Sequence, residues 1–106
     1  MPDDYRIRKV LECVEQDPSK TILDLARMVN LSSSRLGHLF RLQIGVDLNS
    51  FVRNSRLEKA AKLLRETELS IKEIAAMIGY QHASSFDRGF EKKFGAAPAV
   101  YRKIRL

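Results

Sequence analysis

The side chains with chemistry to offer fall into two matching stripes. Ser34, Gly37, His38 and Arg41 stand at i, i+3, i+4 and i+7, and so do Ser84, Asp87, Arg88 and Glu91. On a helix that spacing places each set on one face. Leu36, Leu39 and Phe40 take the opposite face of the first segment, Phe86 and Phe90 that of the second. Hydroxyls, an imidazole and guanidinium and carboxylate groups set opposite an apolar anchor suit a partner rich in hydrogen-bond donors and acceptors. They do not form the alternating Lys/Glu band of a solvated helix, although any one of them alone reads equally well as solvated surface.

Other chemistries find little material. His38 and His82 lie 44 positions apart, with no carboxylate or cysteine at ligand spacing, so no metal site is expected. Cys13 is the single cysteine, which excludes an internal disulfide and a multi-cysteine zinc site. It sits near the apolar stripe of a first helix and reads as a small core residue. There is no phosphate-binding glycine loop, no G-x-S-x-G and no acid–base pair. No enzymatic activity and no cofactor are expected.

The 106 residues make one ordinary domain or two very small ones. Apolar residues at 44% and charged residues at 30% are globular proportions. A membrane span needs roughly 20 consecutive apolar residues, and stretches such as Ile74-Ala75-Ala76-Met77-Ile78 fall far short. Asp3-Asp4-Tyr5-Arg6-Ile7-Arg8-Lys9 contains no secretory h-region. The expected compartment is the reducing cytoplasm, and no membrane partner is expected. The net charge is +6, divided as +1 over residues 1–53 and +5 over residues 54–106. A basic surplus favours a polyanionic partner, weakly on its own.

The elements that must position the stripes are helices. Ile7, Val10, Leu11 and Val14 mark a first amphipathic helix ending before Pro18. Thr21-Ile-Leu-Asp24 resembles a capping box for a short second helix that exits at Asn30-Leu31. Ser32 caps a third, stopped by Gly45. Asp47 caps a long fourth helix to about Arg65, carrying Phe51, Val52, Leu57, Ala60, Ala61, Leu63 and Leu64. Ser70-Ile-Lys-Glu73 is a clean capping box for a fifth, ended by Gly79. Phe86, Phe90 and Phe94 stripe a sixth that stops at Gly95, and Pro98 opens a seventh with Val100, Tyr101 and Ile104 as its apolar residues. No segment alternates with period two, so the expected fold is all-α.

An internal repeat organises these helices. Residues 21–31 shifted by 49 place Thr21, Ile22, Asp24, Leu25, Ala26, Met28 and Val29 on Ser70, Ile71, Glu73, Ile74, Ala75, Met77 and Ile78. Residues 34–51 shifted by 50 place Ser34, Leu36, Phe40, Ile44, Gly45 and Phe51 on Ser84, Phe86, Phe90, Phe94, Gly95 and Tyr101. The second copy has one extra residue in its turn. Each copy reads cap, short helix, turn, second helix, glycine stop, which is the outline of a helix-turn-helix; in that motif the second helix enters the major groove. The fourth helix, about 18 residues or roughly 27 Å long, links the copies on a scale near the ~34 Å between successive major grooves. The expected organisation is a first helix-turn-helix subdomain over 1–46, a linker helix over 47–66 and a second, equally homeodomain-like subdomain over 67–106.

The run Ala75…Gly79-Tyr80…Ser84-Ser85-Phe86-Asp87-Arg88-Gly89-Phe90-Glu91-Lys92-Lys93-Phe94-Gly95-Ala96-Ala97-Pro98…Tyr101-Arg102 resembles the signature of the AraC/XylS family of bacterial transcription regulators. Leu31-Ser32…Arg35-Leu36…Leu39-Phe40-Arg41…Gly45 and Arg56…Ala60…Leu63-Leu64 match as well. The resemblance covers essentially the whole chain. It implies sequence-specific binding of double-stranded promoter DNA through two helix-turn-helix units, usually to activate transcription through RNA polymerase. Carried over, the first reading helix is Ser33 through Arg41 and the second Gln81 through Lys92. Within them the residues expected to meet DNA are Ser33, Ser34, Arg35, Gly37, His38 and Arg41, then Gln81, His82, Ser84, Ser85, Asp87, Arg88 and Lys92. Tyr101 and Arg102 belong to the closing helix.

Two departures stand out. Relatives mostly carry a basic residue where this chain has Glu91 and a small hydroxyl where it has Asp87, so the second stripe sums to −1 against +1 for the first. Gly37 inside a helix costs on the order of 1 kcal/mol, whereas Gly89 aligns with apolar Leu39 and reads as a packing position. The rival reading is a helical protein-interaction module contacting RNA polymerase or another protein, supported by the acidic second stripe. The chain is expected to act as a monomer on DNA, either as a stand-alone regulator or, as the family's organisation favours, as the C-terminal piece of a longer one.

Overall fold

The computed structural model describes residues 3–104, which form seven α-helices: α1 (Tyr5–Gln16), α2 (Ile22–Met28), α3 (Ser33–Ile44), α4 (Leu48–Glu66), α5 (Ile71–Met77), α6 (Ala83–Phe94) and α7 (Pro98–Ile104). No strand occurs among the described residues. No helix among them is long and apolar enough to cross a membrane.

The local signals act as their chemistry requires. Thr21 accepts a hydrogen bond from the Asp24 amide while the Asp24 carboxylate accepts from the Thr21 amide. Ser70 and Glu73 form the same reciprocal box, so each short helix has two of its orphan N–H groups satisfied. Capping lowers the pKa of both carboxylates, through the backbone and then the hydroxyl hydrogen bonds from Thr21 and Ser70. Asp47 caps α4 by accepting from the Ser50 amide at 3.1 Å. Gly45 and Gly95 end α3 and α6 at φ of 88° and 81°, a left-handed conformation open to glycine without a Cβ penalty.

The chain forms two compact units, Met1–Ser55 and Arg56–Leu106, which divide within α4. In the first, Ile7, Val10 and Val14 of α1 pack with Leu25 and Ala26 of α2, Leu36 and Phe40 of α3, and Leu48 and Val52 of α4. Cys13 is half-buried against this core and is a free thiol. In the second, Leu57, Ala60, Ala61 and Leu64 of α4 pack with Ile74 and Ala75 of α5 and Phe86 and Phe90 of α6. One helix thus supplies apolar side chains to two separate cores.

The closing helix forms where Pro98 opens it, and only part of its apolar set is covered. Pro98 is buried and Tyr101 is half-buried, but Val100 is 50% and Ile104 65% exposed. Hydrogen bonds add to the packing of Pro98 and Tyr101 in holding α7. The Arg102 guanidinium donates to the carbonyls of Leu64 and Thr67, each at 3.2 Å, and Arg65 donates to the Tyr101 hydroxyl at 2.6 Å. Arg102 thereby serves carbonyls at the C-terminal end of α4, where helical partners run out.

Candidate nucleic-acid interface

Each unit holds two helices joined by the same tight turn. In the first, Asn30 adopts φ 58° and the Leu31 amide reaches back to the Ala26 carbonyl at 3.0 Å. In the second, Gly79 adopts φ 96° and the Tyr80 amide reaches the Ala75 carbonyl at 2.9 Å. This six-to-one closure is a Schellman motif. Asparagine tolerates the left-handed backbone better than most side chains.

Beyond the turn the copies diverge. Ser32 caps α3, its hydroxyl accepting from the Arg35 amide at 3.1 Å. His82 stands at the N-cap of α6 and makes no side-chain capping bond. The extra residue, Gln81, precedes it and is exposed.

Both second helices bury the expected anchors. Leu36 and Phe40 on α3, and Phe86 and Phe90 on α6, are 0% exposed; Leu39, read from the sequence as buried, is half-buried. Phe90 stacks near Phe86, Phe94 and Tyr101, with centroids 5.6, 4.5 and 5.2 Å away. Phe40 meets the Phe51 ring at 5.3 Å. Such ring pairs add ~0.5–1.5 kcal/mol beyond the area they bury.

The opposite faces are open. On α3, Ser34, Arg35, His38 and Arg41 are exposed and Ser33 and Gly37 half-buried. A Cβ built on Gly37 would meet nothing within 4 Å, so intramolecular packing does not require glycine there. In the second unit Gln81, His82, Ser84, Asp87, Arg88, Glu91 and Lys92 are exposed and Ser85 is half-buried. Among the described residues, Asp87, Arg88, Glu91 and Lys92 make no ion pair, neither with one another nor with a neighbouring helix. A neighbouring lysine is engaged: Lys93 bridges to Glu58 on α4 at 3.3 Å and lies 5.4 Å from the Phe94 ring centre.

Gly89 faces the packing side, as its alignment with Leu39 indicates. A Cβ there would lie 3.5 Å from the Tyr80 hydroxyl and 3.8 Å from Leu57, ordinary contact distances. Alanine fits there.

The structure gathers Ser34, Arg35 and His38 of α3 with Leu31, Leu39 and Arg6 around an open groove of roughly 420 Å³. Arg41 stands outside that lining. Arg6 comes from α1, outside both reading helices, and sequence periodicity gave no reason to include it. The available signal was Asp4, an acidic N-cap ahead of an apolar run. Asp4 accepts from the Arg6 amide at 2.9 Å and holds the guanidinium in a fork, at 3.1 Å to Nε and 2.8 Å to Nη2. That side-chain hydrogen bond, with help from the Arg6 and Ile7 amides and the guanidinium charge, holds the Asp4 carboxyl down to about 2. Among the described residues no three His, Cys, Asp or Glu side chains cluster to hold a metal ion.

Known proteins place this arrangement. Residues 25–104 match a family described as a helix-turn-helix domain, and residues 3–38 match one described as winged helix-turn-helix DNA-binding. The chain is 34% identical over 104 residues to the arabinose operon regulatory protein of Escherichia coli (strain K12), covering 95% of this chain and 36% of that one. It is 40% identical over 83 residues to an uncharacterised helix-turn-helix transcriptional regulator of Bacillus subtilis (strain 168), covering 78% and 26%. It thus spans about a quarter to a third of the length of these curated relatives. Among solved structures, the C-terminal domain of AraT, a response regulator from Geobacillus stearothermophilus, superposes with a TM-score of 0.86 at 29% identity, covering 97% of this chain and 88% of that one. With its repeated capped helix, Schellman turn and glycine-stopped second helix, the chain belongs to the AraC/XylS family as an all-α, double helix-turn-helix DNA-binding domain.

Proposed function

We propose that this chain binds duplex promoter DNA sequence-specifically as a monomer, inserting α3 and α6 into successive major grooves, and that it regulates transcription from there as an activator acting through RNA polymerase. The observation that carries the reading is the two-faced build of both helices. Leu36 and Phe40, and Phe86 and Phe90, bury one side completely, while hydroxyl, imidazole, guanidinium and carboxylate groups stand exposed on the other. Such groups match the distinct donor and acceptor pattern that each base pair shows in the major groove. The residues proposed to meet DNA are Ser33, Ser34, Arg35, Gly37, His38 and Arg41 on α3, and Gln81, His82, Ser84, Ser85, Asp87, Arg88 and Lys92 in the second unit. The work is done in the cytoplasm, by recognition alone, with no reaction catalysed.

One observation favours a second reading. Asp87 and Glu91 are exposed on α6 and make no ion pair among the described residues, a face that phosphates repel and a basic protein surface would accept. Selection of bound sequences from random duplexes, followed by titration at several salt concentrations, separates the two. A defined sequence motif with a steep log–log salt dependence supports DNA reading. Recovery of no motif, with flat salt dependence, supports the protein-interaction module.

A further inference from the structure

The groove beside the first reading helix is lined by Arg6, Ser34, Arg35 and His38, with Leu31 and Leu39 as its apolar wall. No carboxylate lines it, and three of its polar side chains are nitrogen donors. Two belong to the proposed base-reading stripe and its flank; Arg6 does not, because it comes from α1.

Arg6 is oriented before any partner arrives. The bidentate pair with Asp4 occupies two of the five guanidinium N–H groups, and the same carboxylate caps α1 through the Arg6 amide. The start of α1 is tied to α3 by the Asp4 amide donating to Gln43 Oε1 at 3.4 Å. Three N–H groups of the fork remain for another acceptor, and the side chain is 37% exposed. A fixed planar fork suits phosphate oxygens, and fixing it in advance removes ordering cost at the moment of binding. Ser34 and Arg35 lie in the first turn of α3, where the helix dipole also favours an anion.

We propose that this groove seats a backbone phosphate of the same duplex that α3 reads, with Arg6 as a phosphate contact outside the helix-turn-helix and Asp4 as its positioning residue. The inference rests on the DNA-reading proposal. It adds to that proposal a sequence-independent contact that sets how deeply and in what register α3 enters the groove.

The test uses a selected duplex and its scrambled counterpart. In Arg6→Gln the dissociation constant should rise by about 3–10-fold on both duplexes, and the log–log salt slope should fall by about 0.9. The double variant Asp4→Asn, Arg6→Gln leaves net charge unchanged and keeps a competent N-cap. It should lose the same slope. Arg8→Ala, about 200° round α1 from Arg6, should change the slope far less.

Four outcomes overturn the inference. The slope of the double variant returns to the wild-type value, so that Arg6 only neutralises Asp4. Arg8→Ala matches the Arg6→Gln loss, so that a diffuse field is at work. Arg6→Gln loses affinity on the selected duplex alone, so that Arg6 reads a base. Inorganic phosphate, titrated without DNA, saturates the Arg35 and His38 resonances at sub-millimolar concentration, so that the groove takes a free small anion. Failure of the wild-type chain to bind duplex DNA at all removes the underlying reading instead, which keeps the two failures distinct.

Discussion

In the first unit α3 starts on a serine cap and shows His38 and Arg41 to solvent, with Gly37 half-buried beside them; in the second, α6 starts on His82 with no capping bond and shows Asp87, Arg88 and Glu91. Beneath those faces the units agree. Both have a reciprocal capping box, a left-handed exit residue, a six-to-one closing hydrogen bond and two fully buried anchors. The scaffold is shared because the same backbone groups must be satisfied in each copy. The exposed side chains are not bound by that requirement. The stripe on α3 combines one full positive charge, at Arg41, with an uncrowded backbone at Gly37. The stripe on α6 carries one long donor, Arg88, and two carboxylates, so on the proposed reading its base preference would rest on Arg88 and its affinity would be opposed by Glu91.

The largest effects should come from the anchors. Phe90→Ala and Phe40→Ala should each destabilise by about 3–5 kcal/mol. Phe90→Ala should be the costlier, because Phe86, Phe94 and Tyr101 all lose a ring partner, whereas Phe40 pairs with Phe51. Chemical denaturation followed by amide exchange reads both the size and the unit affected. An equal loss, or protection lost uniformly along the chain by either variant, breaks the picture of two cores.

Next comes Arg88→Ala, expected to weaken binding to the selected duplex by about 1–3 kcal/mol and to relax preference at one or two bases. An equal loss on scrambled DNA reassigns Arg88 to a phosphate.

The cap difference gives a smaller effect. Ser32→Ala should cost about 1 kcal/mol of stability, whereas His82→Ala should fall within a few tenths, since no capping bond is lost. Thermal melting compares them directly. A His82→Ala loss as large as that of Ser32→Ala would show the two helix starts to be equivalent after all.

How much of this was readable in advance follows the range of the forces involved. The caps at Thr21, Ser32, Asp47 and Ser70 and the stops at Asn30, Gly45, Gly79 and Gly95 are local events, written within a few residues, and they bound α2 to α6; the apolar stripe before Pro18 and the opening at Pro98 marked α1 and α7. The buried anchors followed from spacing alone. What periodicity missed are partners distant in sequence. Arg102 reaches carbonyls more than thirty positions back, Lys93 reaches Glu58, and Arg6 joins the groove of α3. Val100 and Ile104 were read as apolar contents of α7, yet they stand exposed because Pro98 and Tyr101 make the contact and Arg102 holds the helix through hydrogen bonds. The full set of outward side chains came from the family resemblance, since the bare stripe supplies neither Arg35 nor His82.

The smallest expected effect concerns Glu91. Glu91→Lys should steepen the log–log salt slope by roughly 0.9 and tighten binding to selected and scrambled DNA alike. Stability should hold or rise slightly, because residue 91 lies near the C-terminus of α6, where a carboxylate opposes the helix dipole and a cation does not. An unchanged slope with weaker binding to the selected duplex would instead make Glu91 an acceptor for a cytosine amino group.

On the proposed reading, one chain sets both unlike helices on a single duplex. Hydroxyl-radical footprinting on the selected sequence, with sedimentation of the same complex, tests it most directly. One chain per duplex is expected, with two protected segments about one helical turn, ~10 base pairs, apart. A single protected segment, or a complex that forms only with two chains bound, would contradict it.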